Sequence, residues 1–447
     1  MPGGLASYRK CSKLAPLAMK ILSTMASLAG CCCLTMVAVA QTPAIAPATR
    51  TTLSIPASDD GLPGAGPIRR QDWFQKVWLE RRTAWAQRVE QDQRAVVFLG
   101  DSITQGWGDR LETSFPGMKV ANRGISGDTT RGVLIRLKDD VLSLRPRAVV
   151  LLIGTNDLEE NADPEIVAAN LKLILAALKQ HGPEMPIVLC QVMPSAESKK
   201  RPAAKIKRLN ELYAAAVKGD PQVTLIETWT LFADANGDAK ASEFPDLLHP
   251  NDMGYAKWAA ALRPIFSTLG FLERERDDFT IENDFVPLFN GSNLDGWRYG
   301  TNRFSDETET ADGRYVAKLG RLIVTTPPEG RKIVQLWTTE EFPKDFILKL
   351  EFRATPNADS GIFIRGPQLQ CRDYSLAGPY KQLKNYRPQE WNQIEIMVTN
   401  NVAHCTCNGE VLEAAMKLPA TGPIGLEGDR GQMEYRRIRI HTIGMEP

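Results

Sequence analysis

Four short runs, residues 96–99, 148–153, 187–192 and 223–226, are apolar at almost every position, and amphipathic stretches of helical length separate them. Strands of that kind are buried on both faces, which is the habit of a parallel sheet covered by helices. The helical stretches fall at 130–144, 164–181, 200–218 and 253–269. Strand and helix in alternation predict right-handed crossovers and an α/β layer whose reactive groups gather at the strands' carboxyl ends. A further helix is expected over 69–91, where Trp73, Phe74, Val77, Trp78, Trp85 and Val89 recur near helical spacing. The first domain is expected at 67–272.

The texture changes after the charged segment 273–278, within a linker expected at 273–283. Beyond Asp284 short alternating runs take over, at 321–325, 346–354, 361–365, 391–399, 403–408 and 433–441, divided by Gly, Pro and Asn. They predict an all-β jelly-roll sandwich over 284–443. A length of 447 residues accommodates two such cores. A net charge of +1 gives no footprint for nucleic acid.

Arg9, Lys10, Lys13 and Lys20 precede an apolar run that ends Ala38-Val39-Ala40. This is the layout of a secretory signal peptide over 1–40, and it implies an exported protein. Leu28-Ala29-Gly30-Cys31 also has the form of a lipoprotein box, so lipidation of Cys31 is the one membrane attachment expected. Residues 41–66, rich in Pro, Ala, Thr, Ser and Gly, are expected as a flexible linker. Beyond the leader stand Cys190, Cys371, Cys405 and Cys407, too few for a disulfide scaffold and without the spacing of a zinc site. Asp234–Asp238 opens like a calcium loop, but its twelfth position is Pro245, so a turn is expected.

Chemistry is suggested by four segments. Gly100-Asp101-Ser102 follows a buried strand, which presents the Ser102 hydroxyl at a tight turn. Asn122-Arg123-Gly124-Ile125-Ser126-Gly127-Asp128-Thr129 and Gly154-Thr155-Asn156-Asp157 also sit at strand ends. A glycine N–H, an asparagine amide and the N–H of Ser102 can serve a developing oxyanion. Pro245-Asp246-Leu247-Leu248-His249-Pro250 puts a carboxylate three residues before one of only four histidines. His181 ends a predicted helix, where a cation suits the dipole, and His404 and His441 fall on strands. Each segment alone is an ordinary turn; their order and placement together are specific.

In that order they resemble the SGNH (GDSL) hydrolase superfamily, in its platelet-activating-factor acetylhydrolase-like branch, over roughly 73–269. The resemblance implies a flavodoxin-like three-layer α/β/α fold and a serine esterase that needs no metal or cofactor. It also implies Ser102 as nucleophile, His249 as general base then acid, Asp246 as its orienting partner, and Gly124 and Asn156 in the oxyanion hole.

Residues 285–297 (FVPLFNGSNLDGW), 350–366 (LEFRATPNADSGIFIRG), Glu390-Trp391-Asn392 and 422–440 resemble the 3-keto-disaccharide hydrolase domain. A concanavalin A-like sandwich associated with carbohydrate is implied. Leu369-Gln370-Cys371-Arg372-Asp373 stands where that family often has Tyr-Glu-x-Gln, and Glu427 and Asp429 stand where Gln and His are frequent, so no hydrolysis is assigned to it. Glu351, Arg365, Glu390 and Trp391 are the expected sugar contacts. The expected activity is hydrolysis of acyl esters, acetyl foremost, on a carbohydrate that the β domain helps bind. A lipid or short-acyl esterase, a bifunctional glycoside-cleaving enzyme and a non-catalytic carbohydrate-binding protein are the alternatives.

Overall fold

The computed structural model describes residues 53–272, 278–325 and 333–444; the expected leader, Cys31 and the cleavage point after Ala40 lie outside them. The first domain runs α1 (Asp72–Ala86), β1 (Val96–Gly100), α2 (Ser102–Gln105), α3 (Arg110–Ser114), β2 (Val120–Gly124), α4 (Thr130–Asp140), β3 (Ala148–Leu152), α5 (Thr155–Glu159), α6 (Pro164–His181), β4 (Ile187–Cys190), α7 (Ala203–Val217), β5 (Val223–Ile226), α8 (Thr228–Phe232) and α9 (Asp252–Thr268). Its five strands are parallel in the order β2-β1-β3-β4-β5. Alternate residues of each strand serve opposite cores. Val97, Leu99, Val149 and Leu151 join Val133, Leu171, Ile174 and Leu209 on one side, while Phe98, Val150 and Leu152 join Trp107, Phe115, Trp258 and Phe266 on the other. The expected three-layer α/β/α arrangement is therefore present.

Strand β2, at whose end the Asn122–Thr129 segment was expected to sit, is absent from the expected apolar runs because only Val120 and Ala121 of its five residues are apolar. Its Arg123 is buried by charge pairing: the guanidinium lies 2.6 Å from Asp92, donates to the Asp140 carbonyl at 3.0 Å and stacks on Trp85. Residues 53–66 differ from the expected flexible linker. The Asn170 side chain pairs with Ala65 N–H and C=O at 3.0 and 2.7 Å, and Arg131 holds the Pro63 and Gly66 carbonyls and Asp59. Trp78 Nε1 and Arg82 donate to the Leu53 carbonyl. A segment without hydrophobic periodicity is thus fixed by side chains from α1, α4 and α6. The 234–238 segment is the expected turn, with Asp234 Oδ1 accepting from the N–H groups of Asn236 and Asp238.

The second domain comprises β6 (Val286–Pro287), β7 (Trp297–Tyr299), β8 (Asn302–Arg303), β9 (Tyr315–Lys318), β10 (Arg321–Val324), β11 (Leu336–Thr338), β12 (Phe346–Ala354), β13 (Asp359–Ile364), β14 (Gln368–Arg372), β15 (Asn392–Thr399), β16 (Val402–Cys407), β17 (Glu410–Lys417), β18 (Ile424–Leu426) and β19 (Met433–Thr442). Eight strands form one antiparallel sheet, with core order β17-β16-β15-β12-β19-β10-β9 and β6 beside β19; six form the other, β14-β13-β18-β11-β7-β8. The inward residues, among them Leu348, Phe352, Ile362, Leu369, Ile394, Leu426 and Tyr435, make one core between the sheets. Cys371, Cys405 and Cys407 lie in it as free thiols.

A polar joint connects the domains through the last turns of α9. Arg321 donates to Ser267 Oγ at 2.9 Å, Thr268 Oγ1 donates to Glu434 at 2.9 Å, and the Gln432 amide donates to Thr268 Oγ1 at 2.8 Å. Glu434 is fully buried and also takes Arg321 and Arg353 at 2.9 and 2.7 Å. Beside the joint is a cavity of about 390 Å³ lined by Leu225, Ile265, Asp312, Thr355 and Arg430, among others.

Candidate active site

The carboxyl ends of the neighbouring strands β2, β1 and β3 lie where the chain reverses its direction of winding, between β1 and β3, the usual place for a ligand in such a sheet. Ser102 is the first residue of α2, directly after β1. Asp101 caps that helix through Oδ1, which accepts the Ile103 N–H at 2.9 Å. Gly124 ends β2 against this turn: a Cβ there would lie 2.2 Å from Gln105 N and 2.7 Å from Asp101 O, both backbone. Only glycine lets the two strand ends come together so closely.

The loop before α9 brings in the remaining groups. His249 Nε2 is 3.0 Å from Ser102 Oγ, and His249 Nδ1 is 2.7 Å from Asp246 Oδ2. Asp246 Oδ1 accepts the N–H groups of Leu248 and His249 at 3.0 and 2.7 Å, so the carboxylate folds its own loop while it orients the imidazole. That path forces Leu247 to φ +62°, at a cost of about 1–2 kcal/mol for a side-chain-bearing residue. Ser195 Oγ offsets it by donating to the Leu247 carbonyl at 2.8 Å. Burial acts to raise the Asp246 pKa, but the His249 N–H, its ring and the Leu248 N–H outweigh burial and hold the carboxyl at about 2. Asp246 Oδ2 thus presents an anion to His249 Nδ1, and Nε2 of the same ring faces Ser102 Oγ. Asn251 caps α9 by accepting the Gly254 N–H, and Tyr255 of α9 donates to the Ile103 carbonyl at 2.8 Å, which ties the histidine loop to the serine helix.

Asn156, at the start of α5, donates from Nδ2 to the Asp128 carbonyl at 2.9 Å and keeps its second N–H. Its Oδ1 accepts from Arg201 Nη2 at 3.0 Å. Arg201, 2 % exposed, also donates to Thr155 O and Oγ1 and to Glu159. The Gly124 N–H donates to Asn122 Oδ1 at 2.9 Å, so an oxyanion there competes with an existing bond. Behind these donors lie three fully buried carboxyls. Burial raises Asp101 and Asp128 to about 6 and Asp157 to about 7, against hydrogen bonds from Ile103, from Arg136 and from Thr130 respectively. The Asp101 Oδ2 atom has no hydrogen-bond partner among the described residues.

Ser102, His249 and Asp246 therefore form one hydrogen-bonded chain, with Gly124 against the serine turn and Asn156 beyond the end of the adjacent strand β3. Of the four residues expected to contact sugar, Glu351 and Trp391 are brought together by Arg436, Glu390 is the neighbour of Trp391, and Arg365 is bonded elsewhere. Glu351 is ion-paired with Arg436 and Arg437 at 2.7 Å each, and Trp391 lies under the guanidinium groups of Arg353 and Arg436. Arg365 points away from these: it is buried and clamps Asn401 and the Pro419 and Lys344 carbonyls. Glu390 is exposed on a turn. Charge on a strand served structure here, and nothing in the sequence separates such an ion pair from a ligand contact. Arg201 and Ser195 were missed for the converse reason: each lies in a loop with no pattern, and its role depends on a fold partner far along the chain.

Residues 98–257 match the model of the GDSL-like lipase/acylhydrolase family, and residues 284–441 match that of the 3-keto-alpha-glucoside-1,2-lyase-like domain. The chain is similar to platelet-activating factor acetylhydrolase IB subunit alpha1 of Bos taurus, 28% identical over 216 residues that cover 47% of this chain and 92% of the relative. It is equally similar to subunit alpha2 of Homo sapiens, 28% identical over 214 residues, 47% of this chain and 93% of that one. A solved structure of a putative platelet activating factor from Streptococcus pneumonia is 24% identical and covers 44% of this chain and 95% of its own, with a TM-score of 0.41.

Proposed function

We propose that this ester hydrolase, a chain with a GDSL-like lipase/acylhydrolase domain followed by a 3-keto-alpha-glucoside-1,2-lyase-like domain, is exported and removes acetyl groups from a glycan through Ser102, His249 and Asp246. The observation that carries the reading is the unbroken relay from Ser102 Oγ to His249 Nε2 at 3.0 Å and from His249 Nδ1 to Asp246 at 2.7 Å. Ser102 Oγ attacks the ester carbonyl carbon as its proton passes to Nε2. The Ser102 N–H and the spare N–H of Asn156 face the oxyanion, and the Gly124 N–H joins them by leaving Asn122. Collapse breaks the bond to the alcohol, which departs with the proton from Nε2. Water then attacks the acyl-serine, giving its proton to Nε2, and acetic acid leaves as Ser102 recovers its own. No metal or cofactor is called for in this sequence of steps.

An acetyl group is supported by the relatives, which are acetylhydrolases by name. A carbohydrate alcohol is supported by the second domain's family. Export is supported by the basic and then apolar N-terminal segment. The test is acetate release from acetylated xylan, mannan and pectin and from p-nitrophenyl acetate, by wild type and Ser102→Ala. Release from one glycan that vanishes in Ser102→Ala is the expected result. Turnover of the small ester alone would move the substrate to lipids or small acyl compounds, and no turnover of either would sink the reading.

A further inference from the structure

We propose that the outer face of the six-stranded sheet is a binding site for neutral sugar units, which holds a glycan chain without cleaving it. The inference rests on the reading that the substrate is a glycan, and it places the glycan contact on the sheet opposite the one that carries Glu351. Gln368, Phe363, Gly425, Trp337 and Arg298 are successive partners across β14, β13, β18, β11 and β7. Their neighbours along each strand, such as Leu369, Ile362, Ile424 and Leu336, fill the core, so this row faces outward. The next outward row holds Gln370 opposite Gly361, with Glu427 bonded to Gly361 through its N–H at 2.9 Å. Beyond it, Asp359 is paired with Arg372 at 3.1 Å and Arg430 at 3.7 Å, which closes that end.

The ring centroids of Trp337 and Phe363 are 5.2 Å apart. Gly425 stands between them on the middle strand, and a Cβ there would be 2.6 Å from the indole, so the indole lies across the strand and presents its other face outward. Glu427 accepts one amide on each oxygen, from Gln335 at 3.1 Å and from Gln368 at 2.5 Å. Each glutamine keeps its carbonyl oxygen and second N–H, and the Gln370 amide has no hydrogen-bond partner among the described residues. All six side chains are partly buried, as the floor of a trough would be. Two rings offer an apolar face to the C–H side of a pyranose, and amides that both donate and accept suit its hydroxyls.

The central charge is a carboxylate, and Arg298 lies at the edge, donating to the Gly300 carbonyl, so neutral units fit better than uronates. Hydrolysis of a glycosidic bond by the usual route needs two carboxyl groups flanking the bond. Glu427 stands alone in the two central rows, and Asp359 is committed to two arginines. The eight-stranded sheet offers no such surface at Glu351, where ion pairs and stacked guanidinium groups occupy the side chains.

The test is isothermal titration of neutral xylo-, manno- and gluco-oligosaccharides and of oligogalacturonate into the full chain carrying Ser102→Ala. Binding of one neutral series is expected, weakened about tenfold or more by Trp337→Ala and about fivefold by Gln370→Ala, the loss of one hydrogen bond of about 1 kcal/mol. In the wild-type background both variants should turn over p-nitrophenyl acetate at the wild-type rate. Gln370→Ala removes no internal bond and keeps the proposal testable should Trp337→Ala misfold. Unchanged affinity in Gln370→Ala and in Phe363→Ala, or binding of the uronate series alone, overturns the site while leaving glycan deacetylation intact. Absence of both binding and deacetylation would remove the two readings together.

Discussion

Arg201→Met is the most informative single change near the reaction centre. In the wild type the Asn156 amide is held at both ends: Oδ1 accepts from Arg201 at 3.0 Å and Nδ2 donates to the Asp128 carbonyl at 2.9 Å. Methionine removes the first anchor and leaves the second, and a flipped amide would set Oδ1 against the Asp128 oxygen. The donor therefore stays but is less well fixed. Full loss of one oxyanion donor costs about 100- to 1000-fold in kcat. The intermediate expectation for Arg201→Met is about 10- to 100-fold, with KM little changed because the interaction strengthens only in the transition state. Stability falls too, by about 2–4 kcal/mol for a buried, multiply bonded guanidinium, although Glu159 keeps Arg69 as a partner. Kinetics are accordingly measured well below the melting midpoint, on p-nitrophenyl acetate, for Arg201→Met, Asn156→Ala and the double variant. If Arg201 acts through Asn156, the double variant matches Asn156→Ala alone. Multiplying losses, or a folded Arg201→Met with kcat within about twofold of wild type, would refute the reasoning.

Asp246→Asn should lower kcat by about 10³–10⁴-fold with the fold intact, since an amide no longer fixes the imidazole tautomer; circular dichroism and active-site labelling with a fluorophosphonate check the two halves of that statement. Gly124→Ala should abolish activity or soluble expression, because its Cβ meets backbone of the serine turn at 2.2 Å and neither strand end can yield. One part of the pH dependence of stability comes from Asp101, raised by burial from 3.8 to about 6. Between about pH 4 and pH 6 the folded chain keeps a proton that the unfolded chain has released, so stability falls as pH rises through that window, by up to about 3 kcal/mol. Asp101→Asn still caps Ile103 and cannot ionise, so the difference in melting midpoint between pH 5 and pH 8 should shrink; an unchanged difference would remove Asp101 from the account.

How much of this was legible in the sequence depended on what buried each segment. The four apolar strands and the five long helices of the first domain, α1, α4, α6, α7 and α9, could be read because their burial is hydrophobic and periodic. Strand β2 could not, because Arg123 enters the core on the strength of Asp92 and Trp85, which are distant in sequence. Residues 53–66 read as linker for the same reason: their order comes from Asn170 and Arg131. In the β domain the long strands β12 and β19 were found, whereas β7, β11 and β18, three residues each, carry too few positions to show alternation. The serine, histidine and aspartate were recognisable by order and spacing; of the expected sugar contacts, Glu351 is spent on an ion pair with Arg436 and Arg437 and Arg365 on Asn401 and two backbone carbonyls, bonds that depend on partners distant in sequence.

Helix α9 links two parts of the molecule that the chain could have kept apart. Its first turn follows His249 within three residues, and its last turn is bonded to Arg321, Gln432 and Glu434 of the second domain. Seventeen residues of helix make a strut of about 25 Å. The second domain is thus a footing for the loop that carries the base, as well as a surface of its own. For anyone engineering the protein, the esterase half is not a portable cassette: a truncation after residue 272 would leave Ser267, Thr268 and Gln432's former partners facing water and one end of the strut unsupported, and a replacement domain would have to rebuild that footing before it added any new specificity.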